Sequence, residues 1–243
     1  MIEILPFMIL SAGVFAGALV SGVAGFAFSA VAGAMLLHVL RPLEAVPLMM
    51  ICSIAVQSAS LVALRRTMRW KGSLALILGG VAGVPPALWL LESVDTHTFR
   101  VGFGAFLVLY SAYMIFKPAV ARLCQAEARL HGAAVGFAGG LVGGLTAMPG
   151  ALPTIWCDLR GLPKDEQRGL VQPFIAAMQV VAIGLMLAHH SLPTKVLLDA
   201  AFGLPALAAG TMVGIVLFGK MNEALFRRTI LAVLFVAGVG LAL

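Results

Sequence analysis

Long apolar runs separated by short polar loops make up almost the whole chain. Each of six runs is close to the ~20 residues that an α-helix needs to cross ~30 Å of hydrocarbon. They lie at 45–64, 72–91, 98–116, 169–188, 196–218 and 225–243. The strands of a membrane barrel would instead alternate apolar and polar residues in ~10-residue pieces. The pattern therefore predicts an all-α polytopic membrane protein.

Two other apolar runs, 7–40 and 131–159, do not fit a single straight span. Small residues and prolines interrupt them: Ser21, Gly22 and Gly25 in the first run, and Gly143, Gly144, Pro149 and Pro153 in the second. Proline removes a backbone donor and blocks a continuous helix. Irregular backbone at membrane depth occurs only where protein or a water-filled cavity covers it. Each run is therefore predicted to be a broken helical hairpin that dips into the protein.

The two hairpin segments are also similar to each other in sequence. At an offset of 122 residues, "AGALVSGVAG" at 16–25 matches "AGGLVGGLTA" at 138–147, and Gln57 matches Gln179. Later the offset becomes 127, and the matching pairs are Gly83 with Gly210, Phe99 with Phe226 and Arg100 with Arg227. The chain thus divides into repeat 1 at 1–116, a linker at 117–130 and repeat 2 at 131–243. Each repeat is predicted to contain one broken hairpin followed by three transmembrane helices.

The basic residues predict how these repeats are oriented, because Lys and Arg concentrate in cytoplasmic loops. If each hairpin returns to the side on which it starts, 13 of the 16 Lys and Arg residues are cytoplasmic. Only Arg41, Arg100 and Lys195 then lie outside. If each hairpin crosses once, the partition is 8 to 8. The bias favours returning hairpins, so the repeats have inverted topology, the linker is cytoplasmic and both termini are outside.

Composition agrees with a membrane location and argues against several functions. The chain is 61% hydrophobic and 11% charged, whereas soluble domains carry about 25% charged residues. The net charge of +6 comes from loop residues without interleaved aromatics, which argues against nucleic acid as a partner. The three cysteines, Cys52, Cys124 and Cys157, have no zinc-site spacing. No metal, cofactor or enzymatic motif is predicted, so we expect a protein that is not an enzyme.

The hairpin tips are the first candidate for chemistry. They contribute bare backbone and hydroxyl groups near the middle of the membrane: Ser21, Gly22, Gly25, Gly143, Gly144 and Thr146. Free N–H groups at the start of a half-helix carry partial positive charge and bind anions without Lys or Arg. The alternative is that these glycines only allow helices to pack closely. Two equivalent copies favour a binding site for a small anion.

Gln57 and Gln179 are the second candidate, since each lies at the same repeat position inside an apolar span. A buried amide left unpaired costs on the order of 1–3 kcal/mol. Each glutamine is therefore expected either to join neighbouring helices or to contact the substrate. Ionisable residues such as Asp158, Asp199 and His38 lie near span ends, so the sequence does not favour a carboxylate relay across the membrane.

Several motifs together resemble a known family. They are the openings "AGALVSGVAGFAF" and "AGGLVGGLTAMPGALP", the loops "RPLE" and "RGLPKDEQRG", and Phe-Arg before each last span. Over about residues 8–242 the chain resembles the sulfite exporter TauE/SafE family of bacterial membrane permeases. The resemblance implies secondary transport of sulfite, sulfonates or related anions across the bacterial inner membrane. Family members typically have a proline in the first hairpin, whereas here none follows the first glycines until Pro42.

Three functions remain as hypotheses. A secondary transporter would bind a small anion between inverted repeats and work by alternating access, an arrangement that inverted repeats often have. A non-transporting scaffold subunit would bind a partner chain and show no flux. An intramembrane enzyme would need a nucleophile beside a base. The repeat favours the transporter, and proton coupling and assembly as a homodimer are left open.

Overall fold

A computed structural model describes residues 4–24, 27–64, 70–116, 128–189, 191–218 and 223–242. Ten helices and no strand are found in these ranges. The helices are α1 (Ile4–Ala24), α2 (Phe28–Leu36), α3 (Pro42–Leu64), α4 (Trp70–Ser93), α5 (Thr96–Phe116), α6 (Ala128–Thr146), α7 (Ala151–Leu159), α8 (Lys164–Ala188), α9 (Thr194–Phe218) and α10 (Glu223–Ala242). The all-helical class predicted from the apolar runs is confirmed.

The six predicted spans coincide with α3, α4, α5, α8, α9 and α10. In the described residues, four helices are long and apolar enough to cross a membrane: Gly72–Ser93, Thr96–Phe116, Glu166–Ala188 and Thr194–Leu217. Large apolar side chains are exposed along them, including Trp89, Leu109 and Met212. A water-soluble monomer rarely exposes so much contiguous apolar surface. These helices are built to contact lipid.

The helices form two compact units. Unit 1 comprises Met1–Val56, Val94–Pro118 and Leu192–Leu243, and unit 2 comprises Gln57–Ser93 and Ala119–Ser191. Unit 1 therefore holds α1, α2, α5, α9, α10 and most of α3, while unit 2 holds α4, α6, α7, α8 and the end of α3. The units do not follow the order of the predicted repeats. Each contains the hairpin of one repeat and a packing helix from the other.

The same close contact joins a hairpin to its packing helix in each unit. In unit 1, a Cβ on Gly210 of α9 would lie 2.5 Å from the carbonyl oxygen of Phe15 and 3.2 Å from the nitrogen of Leu19, both in α1. In unit 2, a Cβ on Gly83 of α4 would lie still closer to the carbonyl oxygen of Phe137 and 2.9 Å from the nitrogen of Leu141, both in α6. Backbones approach this closely only where side chains are absent. The two contacts are made by equivalent residues. Phe15 and Leu19 match Phe137 and Leu141 at the offset of 122, and Gly83 matches Gly210 at the offset of 127.

Helices α5 and α10, which hold equivalent places in the two repeats, run antiparallel within unit 1. Gly104 of α5 lies against Gly238 and Ala242 of α10, whereas Gly238 lies against Gly104 and Leu107. Later residues of α5 therefore contact earlier residues of α10, so the two helices are antiparallel. Related helices in this unit point in opposite directions.

Candidate functional site

The first hairpin breaks after Ala24, where α1 ends, and α2 begins at Phe28. Ala27 has φ 76°, a left-handed conformation that non-glycine residues rarely adopt. The chain reverses here, because a Cβ on Gly17 of α1 would lie 2.9 Å from the carbonyl oxygen of Phe28. Closer to the open end, Gly13 faces Met35. The reversal therefore needs no proline. Because Gly17 has no side chain, the returning helix α2 can pack directly on α1 at this position.

The start of α2 is buried and lacks a side-chain cap. Phe28, Ser29 and Ala30 are at most 3% exposed, and no side chain of the N-cap residue Ala27 bonds to the first turn. The first N–H groups of any helix have no partner within the helix, so a buried start needs a cap, water or a ligand. Ser21 is buried in the last turn of α1. The predicted site residue Gly25 lies outside the described residues.

The second hairpin breaks after Thr146, where α6 ends, and α7 begins at Ala151. Ala147 is left-handed, with φ 57°. Gly143 packs on Pro149, with a Cβ position 2.5 Å from that proline's Cβ, and Gly139 packs on Pro153. The order of these contacts shows that α7 returns antiparallel to α6. Gly139 is the repeat equivalent of Gly17, so both reversals rely on a missing side chain at the same position.

The Thr146 hydroxyl is already used by the turn. It donates a hydrogen bond to the carbonyl oxygen of Val142 at 2.7 Å and accepts one from the Met148 N–H at 3.3 Å. The Ala147 N–H donates to the Gly143 carbonyl at 2.8 Å. These bonds satisfy the end of α6, which would otherwise leave polar backbone groups buried. Gly144, by contrast, packs on α4, because a Cβ at this position would lie 2.6 Å from the Cβ of Ala87.

The start of α7 resembles that of α2 in being buried and without a side-chain cap. Its N-cap is Gly150, and the segment Ala147–Ala151 is buried throughout. A Cβ on Gly150 would lie 2.5 Å from the Cδ1 of Ile175 in α8, so an alanine here would require the Ile175 side chain to shift. The two short helices thus present buried, positively polarised ends.

Gln179 lies just beyond the start of α7. Val171 and Ile175 of α8 pack on Gly150, and Gln179 is one turn further along the same face. Because Gln167 of α8 bonds to Thr154 of α7, whereas the later residue Ile175 packs on the earlier residue Gly150, the two helices run antiparallel. Gln179, which is 2% exposed, therefore lies about 6 Å farther along α8 than Ile175, beyond the start of α7. This is the side to which the first N–H groups of α7 point.

Gln57 is buried in α3 and begins the part of that helix assigned to unit 2. Both Gln57 and Gln179 already have an interaction partner within the protein. Contact of either glutamine with a substrate remains a prediction. In the described residues no group of His, Cys, Asp and Glu is arranged to hold a metal ion.

The open end of the second hairpin is tied down on α8. Gln167 donates to the carbonyl oxygen of Thr154 at 2.9 Å and lies 3.4 Å from an Asp158 oxygen. The Arg160 guanidinium stacks over Trp156 at 4.6 Å, a favourable cation–π geometry. The two Gln167 contacts hold the end of α7 that is remote from the break against α8.

A family model of the sulfite exporter TauE/SafE matches residues 9–241, nearly the whole chain. The chain belongs to the sulfite exporter TauE/SafE family. Membership in this transporter family, with the exposed apolar helices, makes the protein a multi-pass membrane permease whose substrate class is small anions. No curated protein and no solved structure matches the chain significantly. In this TauE/SafE member, both helix breaks lie within the matched residues.

Three positions at the breaks were missed by sequence reasoning. Ser29 lies in the first turn of α2, whereas the predicted site stopped at Gly25. Ala27 adopts the left-handed conformation that the sequence would assign to a glycine. Gly150 serves as the N-cap of α7, and the adjacent prolines Pro149 and Pro153 were the available signal, since proline is favoured in the first turn of a helix.

Proposed function

We propose that the protein is a secondary permease that moves sulfite, an organosulfonate or a related small anion by alternating access. The two uncapped, buried starts of α2 and α7 carry this proposal. The first N–H groups of α2 and the Leu152 N–H of α7 are polarised for an anion. At α7 the Ala151 N–H already donates to the Met148 carbonyl oxygen, and Pro153 has no N–H. The chain belongs to an anion transporter family. Such binding does not require a Lys or Arg side chain at the site.

The backbone N–H groups, more than hydroxyls, act as the anion donors in this proposal. At the second break the Thr146 hydroxyl is engaged with Val142 and Met148, so it shapes the turn. Gln179 adds an amide ahead of α7, and Ser29 adds a hydroxyl in the first turn of α2. At the first break the proposed site also includes Ser21, Gly22 and Gly25. At the second break it also includes Gly143 and Gly144, and Gln57 is a further proposed substrate contact.

Two inverted repeats supply the alternation in this proposal. The matching Gly210 and Gly83 contacts and the antiparallel pairing of α5 with α10 support repeats 1–116 and 131–243 in opposite orientation. Returning hairpins at both breaks support an odd number of crossings in each repeat, on which inverted topology depends. The bacterial inner membrane, with both termini outside, is the location that the loop charges favour.

A binding experiment tests the site directly. Sulfite, methanesulfonate, thiosulfate and acetate are added to the purified protein, and the thermal unfolding temperature is measured. A ligand that binds only the folded protein raises this temperature. We expect sulfite or the sulfonate to raise it, and Gln179→Glu to abolish the rise by placing a negative charge in front of α7.

Gln172→Glu is the matched control, because Gln172 is also a buried glutamine of α8 but lies two turns before Gln179. It should lower stability to a similar extent and keep the anion-induced rise. A rise that survives in Gln179→Glu would remove α7 from the site. No rise with any anion, and no flux in liposomes, would favour a scaffold subunit instead.

A further inference from the structure

Asp199 is an acidic residue placed inside a membrane-spanning helix. It lies five residues after Thr194, the first residue of α9. In the four candidate spans of the described chain, the other acidic residues, Glu92 and Glu166, lie within two residues of a span end. Acidic side chains within a span are costly to keep there and usually have a function. The sequence alone grouped Asp199 with residues at span ends.

The surroundings of Asp199 leave one of its oxygens without a partner. Its Oδ2 atom is shielded from solvent and receives no hydrogen bond from the described residues. Isolated buried carboxylates are costly unless they are paired or neutralised. Protonation of Asp199 would therefore remove a negative charge that the surrounding protein groups do not fully compensate.

The nearest cation is already engaged by another acid. The Lys195 ammonium lies 3.3 Å from both carboxylate oxygens of Glu44, and Lys195 is 55% exposed. Lys195 and Glu44 are the charged groups close enough to act on Asp199. Arg41 contacts Glu44 through its backbone N–H. Helix α1, which packs on α9, contributes no ionisable side chain over Ile4–Ala24.

We infer that Asp199 is the proton-binding residue that couples anion movement to the proton gradient. This inference rests on the proposed function. An ionised Asp199 repels an incoming anion. When its Oδ2 takes a proton from water, an O–H bond forms and the repulsion ends. After the anion has crossed, that bond breaks and the proton passes to water on the other side. One proton then accompanies each anion.

Flux in liposomes that contain the full-length protein tests the inference, with labelled methanesulfonate and sulfite as probes. Methanesulfonate keeps its charge between about pH 5 and about pH 8, so only the protein titrates in that range. A pH difference of one unit should drive about tenfold accumulation when one proton moves per anion. In Asp199→Asn, accumulation should disappear, while exchange of labelled for unlabelled anion at equal pH stays within about threefold of the wild type.

Two further variants keep the result decisive. Asp199→Glu retains a carboxyl and should restore accumulation. Asp95→Asn is the matched control, because Asp95 is exposed between α4 and α5. Hydrogen bonds from Thr98 hold the Asp95 pKa below its ordinary value, so it does not titrate in the assay. This control should accumulate the probe like the wild type.

The outcomes separate the two proposals. Tenfold accumulation by Asp199→Asn, or anion exchange by the wild type with no response to pH, would overturn the role of Asp199 and leave the permease intact. Loss of exchange in both Asp199→Asn and Asp199→Glu with unchanged thermal unfolding would assign Asp199 to anion binding and overturn proton coupling. Absence of all anion flux in the wild type would overturn the permease itself.

Discussion

Gly143 is the residue on which the second helix break depends most directly. A Cβ added there would lie 2.5 Å from the Cβ and 2.7 Å from the Cα of Pro149. These atoms belong to a ring and a backbone and cannot rotate away. We expect Gly143→Ala to cost about 1–3 kcal/mol of stability, as overpacked sites do, and to weaken anion binding by moving the start of α7. Thermal unfolding with and without sulfite measures both effects.

Gly184→Ala is the control for that substitution. Gly184 lies in α8 with no atom within 4 Å of its Cβ position. Alanine forms helix more readily than glycine by about 1 kcal/mol, so this variant should be neutral or slightly more stable. Equal behaviour of the two variants would mean that the contact with Pro149 does not hold the turn.

Residue identity alone predicted part of these breaks. Glycine and proline mark a reversal at Gly143 and Pro149 because their backbone properties act locally. At Ala27 the same local reasoning is insufficient, since alanine has no preference for the left-handed region. The packing of α2 on Gly17 and on Phe103, 2.6 Å from the Cβ position of Gly33, stabilises that conformation. Such long-range contacts are not visible in the local sequence.

At the scale of helices, the sequence predicted where elements lie better than which elements pair. Apolar length places α4 and α9, because a span needs about 20 residues whatever its neighbours are. The pairing of α1 with α9 and of α6 with α4 joins helices of different repeats. These helices are apolar on nearly every side, so no periodic stripe indicates a partner. The glycines Gly83 and Gly210, which the sequence offset pairs, are the positions where these contacts form.

Those two glycines provide a test of whether the repeats are equivalent. Alanine at Gly83 would meet the carbonyl oxygen of Phe137, and alanine at Gly210 would meet that of Phe15. We expect Gly83→Ala and Gly210→Ala each to lower the unfolding free energy by about 1–3 kcal/mol. The same substitution at Gly102, which has open space around it, is the reference. An effect at only one of the two positions would argue that the contacts are not equivalent.

For the whole molecule, the two possible paths of the second hairpin place Arg168 on different sides of the membrane. Packing of Gly143 on Pro149 and Gly139 on Pro153 supports a hairpin that returns, which puts Arg168 on the same side as the linker 117–130. A hairpin that crosses once would put it on the opposite side. Arg168 is exposed in the first turns of α8, so a cysteine there can react with a membrane-impermeant maleimide.

Cys124, which belongs to the predicted linker, is the internal reference for this labelling. Cys52 and Cys157 are buried and should not react in the folded protein. In inverted vesicles we expect the reagent to label Cys124 and the cysteine of Arg168→Cys together, because returning hairpins keep both in the cytoplasm with most Lys and Arg residues. A cysteine in Arg41→Cys should react only from the other face. Labelling of Arg168→Cys from the Arg41 side would mean that the hairpin crosses the membrane and that the repeats share one orientation.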